Sequence, residues 1–290
     1  LASLAAAKEM NGKYAEAEAA FRHALAIKTR LLGDTHPEIA VLKGNLASLY
    51  EALSRFSEAE PLLLDALEIR RKTFGENHPA TALLLCRLGA FLFDQGRTAS
   101  GLALQEQGCA ILGQKLGPGN PDRGAALCNL GACHARLDQF EQAELALSEG
   151  IAIASAAFGA GHPTVTNGLN QLAEVLHRRG NASEAFGLLE RALQIQETTV
   201  GPDHPDFAIT LSNLGILHME AGHDTIARRY LERAASILAN SVGNSDLNSI
   251  GCIESIARID DRQGRLLEGI NGHLRAISLE EENAVRNRSE

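Results

Sequence analysis

The chain has 290 residues, 45% of them apolar with Ala and Leu foremost, few aromatics and no Trp, a composition that favours helix over sheet. Its net charge of −9 works against general binding of nucleic acid or of anionic membrane surfaces. No apolar run reaches the roughly 18 residues of a transmembrane helix, nothing resembles a cleavable signal peptide, and Cys86, Cys109, Cys128, Cys133 and Cys252 are odd in number without framework spacing, which points to a reduced, cytoplasmic setting.

Gly33, Gly75, Gly117, Gly159, Gly201 and Gly243 stand 42 residues apart. Gly12, Ser54, Gly96, Asp138, Gly180, Gly222 and Gly264 keep the same step. Two ladders with one period mean a single supersecondary unit copied along the chain. The register gives an incomplete unit at 1–33, then 34–75, 76–117, 118–159, 160–201, 202–243 and a degenerate terminal unit at 244–290. Such an array grows by neighbour contacts alone, so one continuous domain over 1–290 is expected.

The unit 34–75 shows what each copy encodes. Pro37 suits a first helical turn, because its missing amide hydrogen would be unpaired there. Leu42, Leu46, Leu49 and Leu53 then form one apolar stripe. Ser54-Arg55 interrupts it, and a second helix is predicted from about Ser57 to Thr73, with Gly75 taking the left-handed backbone that ends a helix. Stacked, the units align Leu4, Leu46, Leu88, Leu130, Leu172, Leu214 and Ile256, followed by a column of only Ala or Gly. Two further small columns run Ala17, Ala59, Gly101, Ala143, Ala185, Ala227, Gly269 and Ala24, Ala66, Gly108, Gly150, Ala192, Ala234, Ala276. Small residues at these spacings let helices approach closely.

In chain order, two units depart from the pattern. Near 101–124 the loop reads GPGNP, the preceding helix carries Gly101, Gly108 and Gly113, and Gly124 follows. Each helix-interior Gly costs about 1 kcal/mol relative to Ala, so a weak point or bend is expected there. The last unit opens with GNSDL and sets Asp260 in the column of Tyr50, Leu92 and Leu176, as terminal repeats facing water often do.

Leu46, Ala47 and Tyr50, then Ala59, Leu63 and Ala66, with NLASLY, ALEIRR and the loops GDTHP, GENHP, GAGHP and GPDHP, make the chain similar to the tetratricopeptide repeat family, in the 42-residue form of kinesin light chains. The resemblance covers essentially the whole chain. It implies an all-α, right-handed α-α superhelix of about seven helix-turn-helix units, each helix about one turn, or roughly 6 Å, longer than in the 34-residue form. Repeats of this type are also common in large bacterial signalling proteins, and the register opens inside a helix, so the chain reads as a piece of a longer bacterial protein.

Catalytic and metal readings are weak. His36, His78, His162 and His204 recur once per unit, too far apart to share an ion, and are read as ordering the turn before Pro. Cys128, Cys133 and His134 have poor ligand spacing for a helix, and the cysteines are read as buried small residues. No Ser-His-Asp or Cys-His arrangement and no phosphate-cradling loop can be defended, so neither enzyme activity nor a cofactor is expected. Glu280-Glu281-Glu282 is read as a solvated face.

Function is then expected in the concave groove that the resemblance assigns to the first helix of each unit. The column facing it reads Asn45, Arg87, Asn129, Gln171, Asn213, similar to the Asn positions with which kinesin-light-chain-type repeats contact an extended peptide backbone. Companion positions late in the preceding helix hold Lys28 and Arg70, then Leu112, Ala154 and Gln196, and Arg136 and Arg178 add charge further along. Lys28, Arg70 and Arg87 are expected to form a locally basic segment for an acidic or carboxylate-bearing peptide. The leading expectation is a non-enzymatic protein-protein interaction scaffold. A second is the sensor or regulatory segment of a larger signalling protein whose NTPase, protease or kinase domain lies elsewhere. Self-assembly through the open ends of the array is a further reading, and the oligomeric state is left open.

Overall fold

The computed structural model describes residues 14–53, 55–241 and 247–289, and over these residues thirteen helices follow one another with no strand. They are α1 (Tyr14–Leu32), α2 (Pro37–Ala52), α3 (Phe56–Phe74), α4 (Pro79–Asp94), α5 (Thr98–Leu116), α6 (Pro121–Arg136), α7 (Phe140–Phe158), α8 (Pro163–Arg178), α9 (Ala182–Thr199), α10 (Pro205–Glu220), α11 (Asp224–Ser241), α12 (Leu247–Arg262) and α13 (Leu266–Ser289). The all-α fold of repeated helix pairs is therefore as the sequence implies, and α2 and α3 begin within a residue of the expected positions. Leu4, Gly12, Ser54, Gly243 and the start of the GNSDL loop lie outside the described residues.

The helices gather into two compact units, residues 1–133 and 134–289, whose boundary falls inside α6. In the first, α1 packs on α2, α2 pairs with α3, α3 packs on α4 and α4 pairs with α5. In the second, each helix from α7 to α13 packs on the next, and α8 also touches α10 as α10 touches α12. Each is a solenoid segment in which a helix and its antiparallel successor form one repeat.

The core follows the columns. Leu46, Leu88, Leu130, Leu172 and Leu214 are buried, and so are the small residues Ala17, Ala59, Ala143, Ala185 and Ala227 in the facing helices. All five cysteines are reduced and buried among them.

Starts of the first helices are fixed by side chains, whereas α3, α5, α7 and α9 begin without a side-chain cap. At His36, His78, His162 and His204 the imidazole Nδ1 accepts from the amide two residues on, at 3.2, 3.1, 3.3 and 3.2 Å, meeting one of the donors that every helix start leaves open. The His78 and His162 rings also stack on Phe74 and Phe158, with centroids 4.7 and 4.3 Å apart. Where the loop reads GPGNP, Asn120 Oδ1 makes the same bond to the Asp122 amide at 2.9 Å. Helix ends depend on backbone: Gly75 has φ 89° and ψ 167°, a region open essentially to Gly alone. Asp138 fills a ladder position at φ 59°, the left-handed conformation that Asp tolerates.

The glycine-rich stretch keeps its helix. α5 runs as α-helix without interruption from Thr98 to Leu116, and two of its glycines, Gly101 and Gly108, lie where α4 and α5 cross. A Cβ on Gly101 would sit 2.6 Å from the Gly89 carbonyl oxygen, and one on Gly89 would sit 2.8 Å from that of Gly101. What these residues cost in helix propensity, they return in backbone contact.

Polar groups in the core are handled unequally. Asp260, 5% exposed in a column otherwise occupied by Tyr50, Leu92, His134, Leu176 and His218, accepts from Arg265 Nε at 2.6 Å and pairs with Arg228. Gln105 stands in the column of Leu63, Leu147, Leu189 and Leu231 and is fully buried. Neither its amide oxygen nor its nitrogen has a partner among the described residues.

Two outcomes are expected in urea unfolding. His78→Ala lowers stability by about 1 kcal/mol, whereas His78→Asn, which recreates the Asn120 cap, loses no more than a few tenths; equal losses would refute the capping role. Gln105→Leu raises stability by about 1–3 kcal/mol by removing two unsatisfied polar atoms, and a fall in the midpoint would show that the amide is satisfied.

Candidate functional site

In the first compact unit, three of the residues singled out from sequence meet at one cleft of about 240 Å³. Asn45 stands on α2 and Arg87 one repeat later on α4, while Arg70 reaches in from the end of α3. Val41 and Leu83, 46% and 41% exposed, supply an apolar lining. The helical spacing puts Val41 and Asn45 on one face, with Leu42, Leu46 and Leu49 turned to the core.

The cations of this region are not equivalent. Lys28 does not line the cleft, and its ammonium lies 2.7 Å from the Glu38 carboxylate. Arg87 donates to Ser48 Oγ and to Glu51 Oε1, the latter at 3.2 Å, and its guanidinium lies beside Gly44 of α2. Arg70 has no carboxylate partner among the described residues. Its guanidinium lies 5.5 Å from the Phe74 ring centroid, its Nε is buried without a partner, and burial lowers its pKa from the ordinary Arg value. A half-buried cation with unspent donors beside an amide is chemically a receptor for a carboxylate and a neighbouring peptide group.

In the second unit, Arg178 and Asn213 line a cleft of about 380 Å³ with Glu174, His177, Ile216 and Glu220. Arg178 is engaged on all sides. It donates to the Ala135 carbonyl at 3.2 Å, pairs with Asp138, and lies 4.9 Å from the Phe140 ring centroid. His177 and Glu220 contact each other across the cleft. Asn213 donates to Asn170 Oδ1 at 3.4 Å, Asn170 Nδ2 to Thr210 Oγ1 at 2.9 Å, and Thr210 to Gln196 Oε1 at 2.7 Å. The amide of Asn213 is thus the outer end of a buried polar chain that ties α8, α9 and α10 together.

Asn129 and Arg136 are exposed on α6, and Gln171 is half-buried on α8 with its Oε1 unpartnered. These three join neither cleft. Val41, Leu83, Asn170 and Thr210 were not anticipated. Thr210 carried a signal: it replaces Leu42, Leu84, Ala126 and Gly168 in an apolar column, and a hydroxyl entering such a column needs a hydrogen-bond partner. Neither cleft presents a nucleophile with an adjacent base, and among the described residues no three His, Cys, Asp or Glu side chains gather as a metal would need. None of the described helices is long and apolar enough to cross a membrane.

Comparison with solved structures places similar folds beside this one. A kinesin light chain structure with TPR-like repeats from Podosopora anserina is 27% identical, with a TM-score of 0.57 over 69% of this chain and 94% of its own. The apo form of RapI, at 16% identity, superposes with a TM-score of 0.74 over 97% of this chain and 96% of its own. A Rap protein complexed with competence and sporulation factor, at 12% identity, reaches 0.60 over 93% of this chain and 78% of its own. No curated protein matches in sequence. The Tetratricopeptide repeat family model matches residues 1–72, 40–112, 80–156 and 164–240. With well over half of its length matched in this way, the chain belongs to the tetratricopeptide repeat family.

Proposed function

We propose that the chain is a non-enzymatic scaffold that binds a peptide or protein segment along its first helices, with the Asn45–Arg70–Arg87 cleft as the principal subsite. Arg70 carries this reading: its guanidinium is partly desolvated, has no acidic partner among the described residues, and faces the same cleft as the Asn45 amide. The ligand matched to it is an extended segment whose carboxylate meets Arg70, whose backbone meets Asn45, and whose apolar side chain covers Val41 and Leu83. The tetratricopeptide repeat family supports the class of function. The Rap protein complexed with competence and sporulation factor supports the use of a similar fold for a small partner. Arg87 serves as a wall already satisfied by Ser48 and Glu51. A reduced cytoplasmic compartment fits the buried free thiols.

An array of Asp- and Glu-containing peptides probed with the purified chain supplies a ligand, whose binding is then measured by fluorescence anisotropy at low salt. Arg70→Ala is expected to weaken the best acidic binder by at least about tenfold, and Asn45→Ala by several-fold, in line with the loss of a desolvated charge pair and of a neutral hydrogen bond. Undiminished affinity in Arg70→Ala would overturn the assignment.

A further inference from the structure

α13 differs from the second helices before it in where its apolar residues lie. Leu266, Leu267, Ile270, Leu274 and Ile277 are between 51% and 76% exposed, and at about 100° per residue they occupy one stripe of the helix. Four of the corresponding positions in α11 are polar: Asp224, Thr225, Arg228 and Glu232. The column of Leu274 is exposed in every inner repeat, at Leu64, Glu106, Ser148, Glu190 and Glu232, so stacking another repeat on α13 would leave Leu274 uncovered. The stripe also ends in charge. Leu274, Ile277 and Glu281 follow at steps of three and four residues, with Glu280 and Glu282, also exposed, on either side.

The same compact unit carries a cleft of the opposite character. Leu211 on α10 and Ile226 and Tyr230 on α11 line a space of about 400 Å³, edged by Arg229 and Arg233. The Tyr230 ring is held by stacking on His218, centroids 5.5 Å apart and nearly parallel. Arg233 lies 5.1 Å from the Phe207 ring centroid. Both arginines are exposed and neither pairs with a carboxylate among the described residues. Five other arginines of this unit are engaged, Arg178 on Asp138, Arg179 on Glu144, Arg228 and Arg265 on Asp260, Arg262 on Asp224, whereas Arg191, Arg258 and Arg275 are exposed like Arg229 and Arg233. What distinguishes Arg229 and Arg233 is that they stand one helical turn apart at the edge of one apolar cleft.

We infer that the α13 stripe of one copy docks into the Arg229–Arg233 cleft of a second copy. Leu274 and Ile277 enter the space lined by Leu211, Ile226 and Tyr230, and Glu280 and Glu281 meet the two arginines. Ile277 to Glu281 and Arg229 to Arg233 each span one turn, about 6 Å along the axis, so apolar and ionic contacts can form in one register. The occupant comes from another molecule because α12 packs between α11 and α13 within the chain. Cleft and stripe are different surfaces, so the contact is heterologous: two copies can close reciprocally, and further copies add head to tail.

Sedimentation velocity on the full chain from micromolar to near-millimolar concentration tests this. The unaltered chain is expected to gain mass with concentration and to lose it with added salt. R229E/R233E and E280K/E281K/E282K should each weaken association at least about tenfold, and L274D/I277D should do the same without the charge change at the cleft. An equimolar mixture of the two charge variants should associate again, since the Glu-edged cleft of one now meets the Lys-bearing stripe of the other. A monomeric unaltered chain throughout, or a mixture no more associated than its components, sinks the inference. Association that persists in R229E/R233E but not in L274D/I277D would mean that the stripe pairs elsewhere, and overturns the cleft as its seat. Circular dichroism of each variant confirms folding, which these exposed sites are expected to preserve.

Discussion

Close approach of helix backbones at the small-residue columns is the constraint on which the rest of this structure depends. Where Gly89 faces Gly101, each would-be Cβ falls within 3 Å of the other's carbonyl oxygen, and Ala47, Ala59, Ala173, Ala185 and Ala227 are buried to 1% or less. A larger side chain at any of these points would push two helices apart and spread that error to the neighbouring repeat. Large residues then have fixed places beside the small ones, as with Leu63, Leu147, Leu189 and Leu231. The first-helix faces that remain outside the crossings are left to carry polar residues such as Asn45 and Arg87.

This explains which parts were legible from sequence. Helix starts and ends are local events, set by a cap two residues away or by a single backbone angle, so His-Pro loops and the glycine ladder located them within a residue or so. The columns were legible because packing repeats with the chain. Ion pairs follow the repeat only in part. Arg55–Glu18 recurs one unit on as Arg97–Glu60, whereas Arg87 meets Glu51 across 36 positions from a column that holds amides elsewhere. Hence Lys28, Arg70 and Arg87 looked alike as a basic group, while only Arg70 lacks an acidic partner among the described residues. Similarly, the glycines near residue 101 read as weakness because propensity is visible along a helix, whereas the partner helix they touch is not.

The candidate site shows the same division. Amide and guanidinium positions predicted from the column did reach the surface, but the molecule uses several of them itself. Arg178 steadies a turn through Ala135 and Asp138, and Asn213 closes the polar chain from Gln196 through Thr210 and Asn170. Donors not spent on internal bonds among the described residues include those of Arg70 in one unit and of Arg229 and Arg233 in the other.

Gln105 has a bearing on how such a chain finds its own pairing. Repeats built on one template offer many nearly equivalent partners, and a folding chain could join a second helix to the first helix of the wrong repeat. Gln105 Cγ lies 3.0 Å from where a Cβ on Gly89 would stand, and Leu231 Cγ lies 2.7 Å from that of Gly215. Alternation of Gly and Ala along this column makes the crossings unequal, so a second helix fitted to a glycine crossing is not interchangeable with one fitted to an alanine crossing.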